Sequence, residues 1–271
     1  MSEQRILEQA AVQAAVAQME QLATPTLLLS AVVFTATVSL LAAFALGLVS
    51  LWLATLFLAV LTYVAYTPLH EAVHSNVASG SLTSKRLNNG VGYAMAQIMG
   101  IPFSSHRKEH LHHHRHTNTV NDPDFHMRDW LRSPLAFVRT ILTEIKTQNT
   151  FVVSPASVAE IALGLSWRAV FVWATGWQGL AVVLIGWFFG ALLTVLLFSY
   201  LPHLPYRDSE RFRNTNIMLA PGLSIVMLAQ NYHAIHHLYP RVPFYRYSAV
   251  FREAEALLRE RQTPIREFTF R

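Results

Sequence analysis

Two histidines one helical turn apart, with a glutamate beside the first, are the earliest residues in the chain that could do chemistry. Residues 67–76 read T-P-L-H-E-A-V-H-S-N, so His70 and His74 would share one face of a helix. In the spacing H-E-x-x-H the two imidazoles can bind Zn²⁺, and Glu71 can be the general base of peptide hydrolysis. Taken alone, this stretch indicates a metal-dependent protease.

Further histidine clusters change that interpretation. Two stretches read H-x-x-H-H, and one more histidine follows Tyr-Leu-Pro at the end of a long apolar run. With the first pair they offer nine imidazoles: His70, His74, His110, His113, His114, His203, His233, His236 and His237. A zinc protease site needs only about three protein ligands and a water, so two metal ions that share these imidazoles fit the count better.

Iron is the metal that such a site favours for oxidative chemistry. Imidazole binds several transition metals, but zinc has no redox chemistry. The chain contains no cysteine, which excludes thiolate ligands, iron–sulfur clusters and a cysteine nucleophile. The other histidines lack a ligand-like spacing, and we expect them at the surface or in hydrogen bonds to the ligands; they are His106, His112, His116 and His126.

The elements that must position these residues are apolar helices. Hydrophobic residues make up 52% of the 271 residues and charged residues only 14%, against about 25% charged in soluble domains. Two long runs, residues 21–69 and 169–206, carry no charge. Because about 20 apolar residues cross a bilayer, we predict an all-α, polytopic membrane protein with about four spans. They form two hairpins, 26–69 and 157–201, with turns near Gly47 and at 176–179. Two charges, Glu160 and Arg168, interrupt the third predicted span.

The charges predict the orientation of these spans. Lysine and arginine are concentrated in residues 70–156 and 202–271, which the positive-inside rule places on the cytoplasmic side together with both termini. These segments would form a helical cap that holds the histidines. Residues 4–22 repeat apolar positions at helical spacing and predict an amphipathic helix, which lies either on the membrane surface or on the protein's own soluble part. We expect one integral-membrane domain, residues 1–271.

The three boxes H-x-x-x-H, H-x-x-H-H and H-x-x-H-H resemble the pattern of the membrane fatty acid desaturase and hydroxylase superfamily. The stretch N-Y-H-A-I-H-H-L-Y-P-R-V-P-F-Y-R-Y, residues 231–247, is typical of its third box. The stretch Y-L-P-H-L-P, residues 200–205, with the basic, Asn-containing stretch after it, resembles carotenoid-modifying members. Combined with Q-N-Y-H-x-x-H-H-L-x-P, residues 230–240, it is most similar to the cyanobacterial-type beta-carotene hydroxylases, and beta-carotene ketolases share Y-L-P-H and related boxes. One departure is Glu71, where the family usually has Asp.

This resemblance implies a function and a cofactor. It implies a non-haem di-iron monooxygenase that uses O₂ to hydroxylate the beta-ionone ring of a carotenoid, as from beta-carotene to zeaxanthin. The nine histidines would be the iron ligands, with no further catalytic residue. Side chains expected to support the imidazoles by hydrogen bonds are Glu71, Asp122, Asp124 and Asn231.

Other functions remain open at this point. A beta-carotene ketolase or an acyl-lipid desaturase would use the same di-iron scaffold. A membrane zinc protease would leave both H-x-x-H-H boxes unexplained. A metal sensor or transporter would be expected to place its ionisable residues at mid-membrane depth.

The expected partners are a lipophilic substrate, membrane lipid and a separate electron donor such as ferredoxin, but no nucleic acid. We expect no fused cytochrome or ferredoxin domain within these residues, because there are no cysteines for a cluster. Basic residues near the C-terminus could dock an acidic donor or anionic lipid; they are Arg207, Arg211, Arg213, Arg241, Arg246 and Arg252.

Overall fold

The structure, a computed structural model, describes residues 3–152 and 154–268. Contacts divide the chain into two compact units. The first, here called the apolar unit, comprises residues 24–108 and 148–195. The second, called the histidine unit, comprises the chain up to Ala23, residues 109–147 and the chain from Leu196. The predicted cytoplasmic termini, residues 1–2 and 269–271, lie outside the described residues.

The apolar unit is built from long helices. Its helices are α2 (Thr24–Ala45), α3 (Leu51–Val73), α4 (Leu82–Met99) and α7 (Pro155–Thr194), and α5 (Phe103–His116) begins in it. In the described part of the chain, three helical stretches are long and apolar enough to cross a membrane: α2, α3 and the continuous stretch Pro155–His203. The first two lie where the sequence predicts spans.

The third stretch is too long for a single crossing. It contains 49 residues, or about 70 Å at helical rise, against about 30 Å of hydrocarbon. Gly176 interrupts it with φ 66° and ψ −152°, inside the predicted turn at residues 176–179. A positive φ is readily adopted by glycine, so Gly176 divides α7 into two legs that are each long enough to cross.

Small residues on the second leg of α7 allow it to pack closely on α3. A methyl group on Gly190 would lie 2.7 Å from the carbonyl oxygen of Ala59 and 2.5 Å from Cβ of Thr62. A methyl group on Gly186 would lie 3.0 Å from Cβ of Leu58. Such close approach favours association of apolar helices, because dispersion forces and not water release hold them together.

Side chains of α7 satisfy the C-terminal end of α4. The Arg168 guanidinium donates to the carbonyl oxygens of Gln97, at 2.7 Å, and Ile98, at 3.3 Å. The indole of Trp187 on the second leg donates to the carbonyl of Met99 at 2.6 Å. The last carbonyls of a helix have no partner within it, so these donors complete the hydrogen bonding of α4.

Glu160 has the complementary role at the start of α5. Its carboxylate accepts a hydrogen bond from the backbone N–H of Ser104 at 3.3 Å. A carboxylate at a helix N-terminus and a guanidinium at a helix C-terminus both complement the helix dipole. The two charges that interrupt the predicted third span, Glu160 and Arg168, therefore hold the junction between α4 and α5.

The histidine unit contains shorter elements. They are α1 (Glu3–Ala17), the end of α5, a 3₁₀ turn (Phe125–Asp129), α6 (Pro134–Val152, up to residue 147), a π-helical turn (Val195–Tyr200, from residue 196), α8 (Leu201–His203), β1 (Ile217–Leu219), α9 (Leu223–Val226), a 3₁₀ turn (Gln230–Tyr232), α10 (His233–Leu238), a 3₁₀ turn (Phe244–Arg246), α11 (Tyr247–Glu260) and β2 (Ile265–Glu267). The two strands pair in parallel, with Ile217 opposite Ile265.

The core of the histidine unit forms around α11. Its buried residues recur at helical spacing: Tyr247, Val250, Phe251, Ala254, Leu257 and Leu258. Helix α1 packs on α11 through the buried Ala11 and Ala15, while Val12 and Val16 are exposed. The predicted amphipathic helix, residues 4–22, corresponds to α1, which ends at Ala17, and its position at the membrane surface stays a prediction.

Candidate metal centre

The second histidine box lies on α5, and its side chains point in two directions. His110 and His114 are one turn apart, and their Nε2 atoms lie 3.0 Å from each other. His113 points elsewhere, and its ring packs edge-on against that of His203, with centroids 4.7 Å apart. The H-x-x-H-H spacing therefore supplies ligand atoms to two clusters at once.

The third box lies on α10, and its histidine side chains also point in different directions. The apolar residues of this short helix, Ala234, Ile235 and Leu238, are buried in the core with α11. The histidines at the alternate positions consequently face away from that core. Nε2 of His236 lies 2.9 Å from Nε2 of His114, whereas His237 stacks against the other face of the His114 ring, with centroids 4.1 Å apart.

Two imidazole clusters result within the histidine unit. The first contains His110, His114 and His236. The second contains His113, His203, His233 and His237: Nε2 of His233 lies 3.0 Å from that of His203 and 3.2 Å from that of His237. Ligand atoms of His113, His203 and His237 lie within 4.8 Å of one another.

The first histidine pair belongs to the apolar unit. His70 lies in the last turn of α3 and His74 caps its C-terminus. Both are buried, and their rings lie 5.0 Å apart. Glu71 is fully buried beside His70. The ligand roles of the pair and the supporting role of Glu71 stay predictions.

Asp122 holds the imidazole of His113. The carboxylate accepts a hydrogen bond from Nδ1 of His113 at 2.8 Å, and also from the backbone N–H groups of Asn118 and Asp124. Because a carboxylate only accepts, Nδ1 of His113 carries the proton and its Nε2 is free to bind a metal. The Asp124 carboxylate lies farther from the same Nδ1, at 3.7 Å, and accepts from the Ser199 hydroxyl.

Thr117 orients His237 in the same way as Asp122 orients His113, through a contact to Nδ1. Its hydroxyl donates to the carbonyl of His113 at 2.9 Å. Since a hydroxyl has a single proton, Thr117 accepts the bond from Nδ1 of His237, at 3.4 Å. His237 therefore also presents an unprotonated Nε2 to the second cluster.

These groups fit a bound transition metal. Unprotonated imidazole nitrogens that converge repel one another unless a cation lies between them. Adjacent ligands of one metal at about 2.1 Å are separated by about 3 Å when they subtend a right angle, and the Nε2 separations in both clusters are 2.9–3.2 Å. All-imidazole donor sets suit iron, zinc, copper or nickel.

Sequence reasoning missed three supporting residues: Thr117, Gln230 and Tyr247. The amide oxygen of Gln230 lies 3.0 Å from Nδ1 of His233, and the hydroxyl of Tyr247 lies 2.9 Å from Nδ1 of His236. Gln230 lies three residues before His233, in the 3₁₀ turn that leads into α10, so its spacing from the box could have indicated this contact. Asn231 donates its amide to the carbonyl of Met218, and its predicted support of an imidazole stays a prediction.

Burial keeps part of this site neutral. It lowers the pKa of His237 well below the usual value, and the neighbouring imidazoles of His114 and His233 act in the same direction. For His113, burial acts to lower the pKa, but the charge of Asp124 and the hydrogen bond and charge of Asp122 outweigh it, so its pKa is raised. Metal binding requires the neutral imidazole, which His237 offers without losing a proton at pH 7.

The remaining histidines of α5 form a separate pair. The rings of His112 and His116 stack with centroids 4.1 Å apart, and both are partly exposed. Nε2 of His112 lies 3.1 Å from the carbonyl of Asn121. Their interactions agree with the expectation that they are surface or supporting residues.

Comparison with known proteins identifies the family of the chain. The fatty acid desaturase family model matches residues 46–269. A beta-carotene ketolase from Paracoccus sp. (strain PC1) is 30% identical over 183 residues, which cover 65% of this chain and 69% of the ketolase. A beta-carotene ketolase from Paracoccus sp. (strain N81106 / MBIC 01143) is 26% identical over 185 residues, with the same coverage. The chain belongs to the fatty acid desaturase family and is an oxidoreductase.

Proposed function

We propose that the protein is a membrane non-haem di-iron oxygenase that oxidises the ring of a carotenoid with O₂. The observation that carries the proposal is the division of two H-x-x-H-H boxes between two adjacent imidazole clusters. A single-zinc protease needs one cluster only. Two clusters that share the helices α5 and α10 are what a pair of metal ions needs.

The ligands of the two irons follow from the clusters. One iron would be held by His113, His203, His233 and His237. The other would be held by His110, His114 and His236. His70 and His74 would be further iron ligands, because they match the family's first box.

The chain's own residues hold the ligands in place for this chemistry. Bound iron supplies the capacity to activate O₂, which protein side chains lack. Asp122 and Thr117 each fix an imidazole with its proton on Nδ1, and Gln230 and Tyr247 contact the Nδ1 atoms of two more. Burial of these side chains limits access of water to the site and so would limit side reactions with water.

The proposed substrate rests on similarity to carotenoid-modifying proteins. Residues 200–205, Y-L-P-H-L-P, resemble carotenoid-modifying members of the superfamily, and both similar relatives are beta-carotene ketolases. A carotenoid is an apolar polyene that dissolves in the bilayer, which suits a chain with three apolar helical stretches. Hydroxylation of the beta-ionone ring, as in zeaxanthin formation, is the reaction that we propose first.

Ring ketone formation is the second candidate. The names of both relatives favour it. A hydroxylation inserts one oxygen atom into a C–H bond, whereas a ketone at the same carbon needs a further two-electron oxidation. Acyl-lipid desaturation on the same scaffold ranks third, because neither relative is named for it.

The membrane arrangement and the electron supply complete the proposal. Two hairpins, 26–69 and 157–201, would place the histidine boxes and both termini on the cytoplasmic side. Reduction of O₂ to water and a hydroxyl group needs two electrons from outside, so a separate donor such as ferredoxin would be required. The exposed arginines near the C-terminus are candidates for its docking, among them Arg207, Arg241 and Arg252.

Expression in a beta-carotene-producing bacterium with a supplied ferredoxin and reductase tests the function. Chromatography with mass spectrometry distinguishes a ring alcohol, which gains one oxygen per ring, from a ring ketone, which also loses two hydrogens. Either product, lost in His237→Gln, supports the carotenoid proposal. Unchanged beta-carotene from iron-loaded protein with a working donor contradicts it, and new double bonds in acyl lipids would assign desaturation.

A further inference from the structure

Helix α6 has no role in the metal centre, although it is one of the longer helices that begin in the histidine unit. The chain enters it through Ser133, whose hydroxyl accepts a hydrogen bond from the backbone N–H of Ala136 at 3.1 Å. The helix is too charged to count among the apolar stretches that could cross a membrane. Its exposed face therefore needs another explanation.

One side of α6 is attached to the histidine unit. Phe137 stacks on the ring of the buried Trp130, with centroids 5.8 Å apart, and Trp130 in turn contacts the ring of Tyr200 at 5.6 Å. Thr140, on the same side of the helix, is buried. This attachment determines which side of α6 faces outward.

The outward side is apolar. Leu135, Val138 and Leu142 recur at spacings of three and four, so they form one stripe. Their side chains are 59%, 50% and 61% exposed, and Leu131, just before the helix, is 56% exposed. Single exposed apolar residues are ordinary, but a contiguous exposed stripe marks an interaction surface.

Basic residues border this stripe along one edge. Arg139 follows Leu135 by one turn, Lys146 follows Leu142 by one turn, and both are exposed. Arg132, before the helix, is 76% exposed in its side chain and shares Asp129 with Arg128. An apolar stripe with a basic border is the pattern of a helix that lies in the plane of an anionic bilayer surface.

We propose that α6 lies in the membrane interface, with Leu135, Val138 and Leu142 among the lipid chains and Arg139 and Lys146 at anionic headgroups. A bilayer is the occupant that these features favour, because the chain belongs to a membrane family and carries apolar helices that could cross. An acidic soluble protein would match the basic border but not four exposed apolar side chains in a row. The proposal does not depend on the substrate.

The absence of cysteine makes a direct test simple. Single cysteines at Leu135, Leu142 and, as the control, Thr143 would be spin-labelled in the full-length protein. Thr143 is exposed and lies beyond the basic edge of the stripe. Power-saturation EPR in lipid discs then compares access of O₂, which concentrates in lipid, with access of a water-soluble nickel chelate.

In discs that contain phosphatidylglycerol, we expect the labels at 135 and 142 to be reached by O₂ and not by nickel, with the label at 143 reached by nickel. Arg139→Gln with Lys146→Gln should reduce this immersion several-fold, whereas Arg252→Gln on α11 should not. Nickel access at 135 and 142 equal to that at 143 would overturn the proposal. Two further results would overturn it. One is protection of these labels from nickel only after an acidic soluble protein is added. The other is equal immersion in phosphatidylcholine discs.

Discussion

Nδ1 of His236 lies 2.9 Å from the hydroxyl oxygen of Tyr247, and both side chains are fully buried. The two residues belong to different elements, because α10 carries His236 and α11 begins at Tyr247. The same tyrosine is a central residue of the core between α1 and α11. The hydrogen bond therefore connects the packing of the histidine unit directly to a proposed iron ligand.

Tyr247→Phe should weaken iron binding without unfolding the protein. The ring still fills the core, but the imidazole loses the partner that orients it, and loss of such a partner typically lowers metal affinity about 10–100-fold. Competition with a chelator measures the affinity. Tyr239→Phe is the matched control, since Tyr239 is a second tyrosine buried in the same core. Equal affinities for both variants would show that the bond has no positioning role.

Asp122→Asn should affect both the second cluster and the local loop. The carboxylate accepts three hydrogen bonds, from His113, Asn118 and Asp124. Bonds to a charged group contribute about 1.5–3 kcal/mol each. We expect a lower melting temperature and loss of roughly half of the bound iron, as measured by calorimetry and elemental analysis. Asp208→Asn, at a partly exposed carboxylate paired with Arg213, should retain both irons; full iron in Asp122→Asn would contradict the assignment.

Gly190→Ala should destabilise the apolar unit. The added methyl group would lie 2.7 Å from the backbone oxygen of Ala59, and overpacking of this kind typically costs about 1–3 kcal/mol. Gly90→Ala on α4 is the control, because a methyl group there meets nothing within 4 Å and should raise helix stability by about 0.5–1 kcal/mol. Thermal unfolding in detergent gives both values. Similar melting temperatures for the two variants would exclude the close packing of α3 on α7.

Arg168→Leu should destabilise the junction between α4 and α5. It leaves the carbonyls of Gln97 and Ile98 without their side-chain donor, at about 1–3 kcal/mol for each buried group. Trp187→Phe removes one bond only and should cost less. Arg86→Leu, at an exposed position of the same unit, serves as the control. Hydrogen exchange of the amides at residues 97–104 checks the site of the effect, and unchanged exchange in Arg168→Leu would contradict it.

The proximity of histidines within one box can be predicted from the sequence, because it depends on local spacing. The i, i+3, i+4 pattern of His110, His113 and His114 follows from one helix and needs no tertiary information. The same holds for spans α2 and α3 and for the turn at Gly176, which appear as uncharged runs and a glycine.

Long-range contacts explain what the sequence does not reveal. Tyr247 supports His236 only because α11 packs under α10, and nothing in the spacing of the third box indicates it. Arg168 and Glu160 looked like interruptions of a span, but each satisfies a helix end more than 50 residues away in the chain. The amphipathic helix at residues 4–22 has no partner that its spacing identifies, and the packing of Ala11 and Ala15 on α11 is likewise a long-range contact.

Metal content is the measurement that tests the central claim most directly. Elemental analysis of protein reconstituted anaerobically with ferrous iron should give two irons per chain, and Mössbauer spectroscopy should show both sites. His236→Gln and His237→Gln, which change adjacent residues in different clusters, should each lower the content toward one. One zinc and no iron per chain, with activity retained in both variants, would contradict the di-iron account.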